Sequence, residues 1–254
     1  MTIAMYQSNI LAPHRRRRYG LLEAADVTRV SPDETQRWVA GVDAVQFNVD
    51  LHNVDLSACD PPTSGFFAYA DSTEEPVEFR AFTSVATARW SLLCGPEASD
   101  ARVVSMADEH EASLPGVVDR ELISGSVSGN TAGSLSQTAT LTNPSGSVSG
   151  ASLVGYAESL AAWESVIMVP STLFAGTSDV LTLDGSVWRT ATGNTVVPHT
   201  ADTRVYVIPA PVTVLLTTPE TSTWVDRSTN RVDATSTVIG LVQCSPDVKM
   251  FNPS

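Results

Sequence analysis

Residues 153–254 contain the clearest secondary-structure pattern in the chain. Four apolar residues recur at the spacing of one helical face and predict a helix: Leu153, Ala157, Leu160 and Ala161. Later segments, rich in β-formers and bounded by turn residues, predict strands at 204–208, 212–217, 222–226 and 236–243. Helix and strand do not alternate regularly here, as they do in a parallel α/β fold, so the sequence predicts the α+β class.

Shorter elements precede these strands. The apolar run at 166–169 predicts a buried strand, and Pro170 followed by Ser171 predicts the start of a brief helix. Residues 188–197 predict a hairpin that turns around Gly193-Asn194.

The segment 37–95 predicts strands, among them 66–69 and 77–85, which flank an acidic turn. The acidic side chains of this turn are Asp71, Glu74 and Glu75. Together these features predict a long hairpin with a charged tip. The tip is either an ordinary surface turn or a contact with a neighbouring subunit.

Residues 1–36 have little apolar periodicity and predict an extended arm. The arm contains four consecutive basic residues, Arg15, Arg16, Arg17 and Arg18, in a chain whose net charge is −13. Without them the chain carries 28 acidic against 11 basic residues. This asymmetry is typical of a protein that touches nucleic acid at one place. It fits equally well an arm that pairs with the acidic face of a neighbouring subunit.

Residues 96–123 predict helical structure with a weak amphipathic pattern. Because proline lacks a backbone N–H and clashes with the preceding turn, Pro115 predicts a break, followed by a second short helix around 117–123.

The next segment, 124–152, differs in composition, since eighteen of its 29 residues are Ser, Gly or Thr. On its own, such a segment predicts a flexible linker.

Two segments, GSVSG at 125–129 and at 146–150, resemble the nucleophile elbow of hydrolases (G-x-S-x-G), in which a catalytic serine lies between a strand and a helix, although each has valine at the central position. The candidate serines are Ser128 and Ser149, both in the Ser/Gly-rich segment, where the pattern arises readily by chance. A hydrolase would also need one of them within hydrogen-bond reach of His110 or His199. We therefore predict that the chain is not an enzyme.

No other motif indicates a ligand. The run 108–111 combines three acidic residues with a histidine, but consecutive helical residues point in different directions, which favours a solvated helix surface over a metal site. Cys59, Cys94 and Cys244 form no C-x-x-C pair. The sequence predicts no metal and no cofactor. It also has neither an apolar run of about 20 residues nor a signal-peptide pattern, so we expect a cytoplasmic protein without membrane contact.

Short segments spread over most of the chain form an ordered pattern. They are YGLL at 19–22, RW at 37–38, ELISG at 121–125, LAAWE at 160–164, IMVP at 167–170, WRTATGNTVV at 188–197 and DRSTN at 226–230. In this order they resemble the major capsid proteins of actinobacterial tailed bacteriophages. The chain departs from that pattern at Pro209-Ala210-Pro211, where family members tend to carry a Thr-Gly turn.

The resemblance implies the Hong Kong 97-type capsid fold. Its parts would be an N-terminal arm (1–36), a strand region with an extended hairpin called the E-loop (37–95), a spine helix region (96–123), the Ser/Gly/Thr-rich segment (124–152), and peripheral and axial domains (153–254). Some relatives of this fold lock their shells with an isopeptide bond from a lysine in the E-loop. The single lysine here is Lys249, so the resemblance implies a shell held non-covalently.

The resemblance also implies a function. The chain would be a major capsid (head) protein that self-assembles, as pentamers and hexamers, into an icosahedral shell around double-stranded DNA. It would be assembled in the host cytoplasm and found in the virion capsid, with scaffold, portal and decoration proteins as further partners. The alternatives are a minor capsid, decoration or tail-tube protein, and an encapsulin-like compartment shell.

Overall fold

The computed structural model describes residues 20–31, 42–44, 77–91, 96–162, 164–245 and 247–253. The helices are α1 (Leu21–Ala24), α2 (Pro96–Ser124), α3 (Leu135–Thr138), α4 (Gly150–Leu160) and α5 (Ser171–Phe174). The strands are β1 (Asp26–Val30), β2 (Val42–Ala44), β3 (Val77–Phe79), β4 (Phe82–Ser91), β5 (Thr140–Leu141), β6 (Val166–Pro170), β7 (Thr182–Asp184), β8 (Val187–Arg189), β9 (Thr195–His199), β10 (Val205–Ile208), β11 (Thr213–Thr217), β12 (Glu220–Asp226), β13 (Arg231–Gln243) and β14 (Lys249–Phe251). This mixture, without regular alternation, confirms the predicted α+β class.

The first sheet is built around β13, which is 13 residues long. One edge of β13 pairs with β4, and the other edge pairs first with β12 and then with β11, all antiparallel. Strand β1 extends the sheet parallel to β11. Alternate side chains of β13 are buried, among them Val232, Ala234, Ser236 and Val238. This period of two is expected of a strand with one covered face.

The second sheet has the strand order β5-β14-β10-β6-β9-β8-β7. Every residue of β6 and β10 is buried, which agrees with apolar runs that show no alternation. Helix α4 covers this sheet through Leu153 and Ala157, both fully buried, and Tyr156 packs edge-on against Phe251 with ring centroids 4.9 Å apart. These contacts form a hydrophobic core separate from the one beneath α2.

Helix α2 runs without a break past Pro115, so the predicted division of this helix is wrong. The side chains of Leu114 and Val118, on either side of the proline, are completely buried in the core. An interior proline costs about 3 kcal/mol or more, and burying each such apolar side chain contributes about 1.5–3 kcal/mol. Tertiary packing therefore overrides the local break. In the part of the chain that the structure describes, no helix is both long and apolar enough to span a bilayer.

The Ser/Gly/Thr-rich segment, which on its own predicts a flexible linker, is folded within this chain. It contains α3 and β5, and β5 pairs in parallel with β14 through Thr140 and Leu141. Its first loop is held by the carboxylate of Glu121, which accepts hydrogen bonds from the backbone N–H groups of Val127 and Ser128, each at 2.9 Å. Glu121 and β14, which lie outside the segment, thus add to the hydrogen bonds that its residues form with one another.

The remaining strand predictions have mixed outcomes. The predicted strands at 166–169, 204–208, 212–217, 222–226 and 236–243 are confirmed, as are the helices α4 and α5 and the hairpin of β8 and β9. The single strand predicted at 77–85 is wrong, because the chain divides at Arg80 and Ala81. Strand β3 then pairs with β2, whereas β4 pairs with β13. The predicted partner strand at 66–69 lies outside the described residues.

Candidate assembly surfaces

The charged residues that the sequence singles out lie outside the described residues. They are Arg15, Arg16, Arg17 and Arg18 of the arm, and Asp71, Glu74 and Glu75 of the hairpin tip. Their contacts therefore stay predictions, and the surfaces considered below belong to the rest of the chain.

The two elbow-like serines have structural hydrogen bonds. The Ser128 hydroxyl donates to Glu121 in the loop after α2, where no strand precedes it. Ser149 immediately precedes α4, and its backbone N–H donates to Ser152 Oγ at 3.0 Å. The His199 Nε2–H donates to the carbonyl oxygen of Arg204 at 2.9 Å. Neither serine is hydrogen-bonded to a histidine.

His110 instead bonds to two serines that no motif indicated. Its Nε2 lies 2.8 Å from Ser84 Oγ on β4, and its Nδ1 lies 2.9 Å from Ser236 Oγ on β13. All three side chains are buried between α2 and the first sheet. The sequence feature that could have indicated this cluster is a serine at a buried position of each strand, Ser84 in β4 and Ser236 in β13.

The acidic run 108–111 is not simply a solvated helix surface, as the sequence analysis proposed. Asp108 and Glu109 are exposed, but His110 is buried and Glu111 forms an ion pair with Arg29 of β1 at 2.7 Å. His110 and Glu111 therefore connect α2 to the first sheet, His110 through hydrogen bonds to β4 and β13 and Glu111 through an ion pair with β1. Among the described residues, no three His, Cys, Asp or Glu side chains are grouped as metal ligands.

The outer face of the sheet formed by β4, β13 and β12 is an exposed surface. Across the three strands, Arg89, Asp233 and Trp224 lie side by side in register, and Arg89 forms an ion pair with Asp233. Trp224 is 64% exposed, and Val85 on the same face is 55% exposed. Exposed tryptophan is typical of protein interfaces, where it contributes a large apolar area. We call this surface the outer sheet face.

Two further apolar side chains are exposed at opposite edges of the second sheet. Leu141 lies on β5 and Leu183 lies on β7, and each is about half exposed. Edge strands present unpaired backbone groups that another chain can contact. Both edges are therefore candidate contact sites.

A cleft of about 420 Å³ lies between α2 and β4. Its lining includes small or buried apolar residues, Ala86, Ala88, Trp90 and Met106, together with the charged Arg102 and Glu109. His110 also lines this cleft, but both nitrogens of its ring are hydrogen-bonded to the buried hydroxyls of Ser84 and Ser236.

Comparison with known proteins identifies the fold. No protein-family model and no curated protein sequence matches the chain. Among solved structures, the capsid of a native GTA particle matches with a TM-score of 0.58 and 12% identity, over 99% of this chain and 95% of that one. The SrpI encapsulin of Synechococcus elongatus matches with a TM-score of 0.56 and 8% identity, over 99% and 91%. A structure of Gordonia phage Cozz matches with a TM-score of 0.52 and 11% identity, over 92% and 86%.

These matches extend over nearly the whole of each chain, so the likeness concerns the entire architecture and not one shared motif. The chain has the Hong Kong 97-type capsid fold, as the sequence resemblance implied. At 8–13% identity, the likeness establishes the fold alone.

Proposed function

We propose that the chain is the major capsid protein of a tailed bacteriophage, which assembles as pentamers and hexamers into an icosahedral shell around double-stranded DNA. The observation that carries the proposal is the match to the GTA capsid, since 99% of this chain aligns with 95% of that one. A shell protein of this kind acts through repeated interfaces between copies of itself and not through catalysis. The structural hydrogen bonds of Ser128 and Ser149 are consistent with that role.

The proposal assigns contacts to particular residues. Asp71, Glu74 and Glu75 would contact a neighbouring subunit, and the outer sheet face, with Trp224 at its exposed edge, would be covered by another chain. Exposed apolar residues of this size contribute strongly when an interface buries them. Because one sequence must fit both pentamers and hexamers, Pro115 would be the point at which α2 adapts its curvature.

The four arginines 15–18 would contact either the packaged DNA or an adjacent subunit, and two variants separate these roles. Replacing all four with Gln removes the charge, whereas replacing all four with Lys keeps it and serves as the control. If they bind DNA, the Gln variant still forms shells, and its salt-dependent retention of DNA decreases relative to the Lys variant. If they bind a neighbouring subunit, the Gln variant fails to form closed shells.

A second candidate function is an encapsulin-like compartment shell, which the match to the SrpI encapsulin favours. Such a shell would enclose protein cargo. The contents of particles purified from the natural source distinguish the two functions: nuclease-protected double-stranded DNA supports the capsid, and protein cargo without DNA supports the compartment.

Electron microscopy of the purified full chain, together with a sizing column, tests the shell role itself. We expect closed shells, tubes, or five- and six-membered rings. A monodisperse monomer that stays monomeric with DNA and crowding agents would contradict the proposal. It would favour a minor capsid, decoration or tail-tube protein instead.

A further inference from the structure

His110 lies at the centre of the contact between α2 and the first sheet. Helix α2 packs against both β4 and β13 there. The inward-facing side chains of those strands near His110 are uncharged: Ser84, Ala86, Ala88 and Trp90 on β4, and Val232, Ala234, Ser236 and Val238 on β13. His110, at 3% exposure, is therefore the titratable residue of this contact in the described part of the chain.

The ring of His110 joins the helix to both strands at once. Nε2 is hydrogen-bonded to Ser84 Oγ at 2.8 Å, and Nδ1 is hydrogen-bonded to Ser236 Oγ at 2.9 Å. A neutral imidazole has one donor and one acceptor nitrogen, and a hydroxyl can fill either role, so both bonds are satisfied in either tautomer. The neutral ring is thus accommodated with both of its nitrogens hydrogen-bonded to the protein.

The protonated ring is not accommodated in the same way. Arg102 and Glu109 of α2 and Arg89 of β4 are the charged residues that line the same cleft as His110. Glu111 of α2 is paired with Arg29 of β1, and Arg89 is paired with Asp233 of β13. Neither hydrogen bond of the ring goes to a carboxylate. Burial therefore lowers the pKa of His110 below its ordinary value of 6.5.

We propose that His110 is a pH-sensitive clamp, which holds α2 on the sheet when its ring is neutral and releases it when the ring is protonated. Mild acid would place a positive charge between α2, β4 and β13, on a ring that is 3% exposed and whose two hydrogen bonds go to uncharged hydroxyls. The helix would then separate from the strands along the cleft, and the buried Trp90 and Met106 beside it would become accessible to water. The clamp lies within one chain, so it does not depend on the proposed shell role.

The direction of the effect follows from linkage. The unfolded or released state binds a proton with a pKa near 6.5, and the packed state binds it only at lower pH. The contribution of His110 to packing is therefore complete above pH 6.5, decreases as the pH falls below that value, and reaches its minimum below the pKa of the packed state.

Hydrogen–deuterium exchange, measured by mass spectrometry on the full chain at about pH 7.5 and pH 5.5, tests the clamp. After correction for the intrinsic pH dependence of exchange, peptides from 103–113 in α2 are expected to exchange at least about threefold faster, relative to peptides from α4, at the lower pH. The α4 peptides in the same sample are the internal reference. An equal change in α2 and α4 would overturn the proposal.

Two variants identify the residue responsible. His110→Gln keeps a donor and an acceptor for the two serines but does not titrate, so the acid-dependent exchange of α2 is expected to disappear. His199→Gln replaces a buried histidine of the other sheet and is expected to keep the wild-type response. An unchanged acid response in His110→Gln would overturn the proposal. If that variant does not fold, the wild-type comparison of α2 with α4 decides alone.

Discussion

The backbone N–H of Leu21 donates a hydrogen bond to Oδ1 of Asp119 at 3.1 Å, across 98 positions of sequence. Both residues are buried, and Gly20 packs closely against Pro115, where an added Cβ would lie 3.2 Å from the proline Cβ. Helix α1 therefore packs against α2 at the turn where Pro115, which has no backbone N–H, removes one of the hydrogen bonds within the helix.

Replacing Asp119 with Ala is expected to destabilise the chain by about 1–3 kcal/mol, because it leaves a buried backbone N–H without its acceptor. Urea unfolding followed by fluorescence measures the change. Arg120→Ala, at the exposed neighbouring position, is the matched control and should change stability by no more than about 0.5 kcal/mol. Equal unfolding midpoints for the two variants would show that the Leu21–Asp119 bond is dispensable.

Replacing Glu121 with Ala is expected to release the loop that follows α2. The carboxylate accepts from two backbone N–H groups and one hydroxyl, and bonds of this kind to a charged acceptor contribute about 1.5–3 kcal/mol. Limited proteolysis should then cut within residues 125–134 much faster than in the wild type. Ser126→Ala, which alters an exposed side chain of the same loop, should leave the cutting rate unchanged. Protection of the loop in Glu121→Ala would contradict this account.

The sequence predicted the elements whose signal is local. The strands around β11 and β13 were predictable because alternate burial imposes a period of two on the residue types. The prediction of a helix break at Pro115 was wrong because the effect of proline is local, whereas Leu114 and Val118 are buried against residues that are distant in the sequence. The composition of the Ser/Gly/Thr-rich segment does not reveal its fold for the same reason, since its partners Glu121 and β14 lie outside it.

The buried polar cluster was beyond prediction from the sequence. Ser84 and Ser236 are 26 and 126 positions from His110, and only the pairing of β4 with β13 brings them together. A serine at an inward strand position is a weak signal, because hydroxyls are also common on exposed strand faces. The elbow-like segments gave a more visible pattern, but the loop that contains Ser128 follows a helix and not the strand that the motif requires.

Replacing Gly240 with Ala is expected to destabilise the chain because β13 passes too close to its neighbours for a methyl group. An added Cβ would overlap ring atoms of Phe82 and lie 2.8 Å from Leu216 Cδ2, both in the core. Overpacking of this kind costs about 1–3 kcal/mol. Gly116→Ala is the opposite case: nothing lies within 4 Å of its added Cβ in α2, so it should stabilise by about 0.5–1 kcal/mol. Thermal unfolding should shift in opposite directions for the two variants.

Cys244 is expected to be unreactive in the folded chain. It is buried, and burial raises the pKa of its thiol to about 12, so almost no thiolate is present at neutral pH. Because Cys59 and Cys94 lie outside the described residues, the test uses a variant in which both are Ser. A chromogenic disulfide reagent should label this variant negligibly when folded and at one site per chain in denaturant. Rapid labelling of the folded variant would show that Cys244 is accessible.

The turn between β12 and β13 is expected to keep its order in acid until its carboxylate is protonated. Asp226 accepts hydrogen bonds from the hydroxyls and backbone N–H groups of Ser228 and Thr229, and these bonds lower its pKa from 3.8 to about 2. A lowered pKa means that the ionised form stabilises the turn above pH 3.8 and that this contribution is lost as the pH falls through about 2. Amide exchange at residues 227–230 should therefore be slower in the wild type than in Asp226→Asn at pH 6. The difference should vanish near pH 2, and a difference that vanishes already at pH 4 would contradict the assignment.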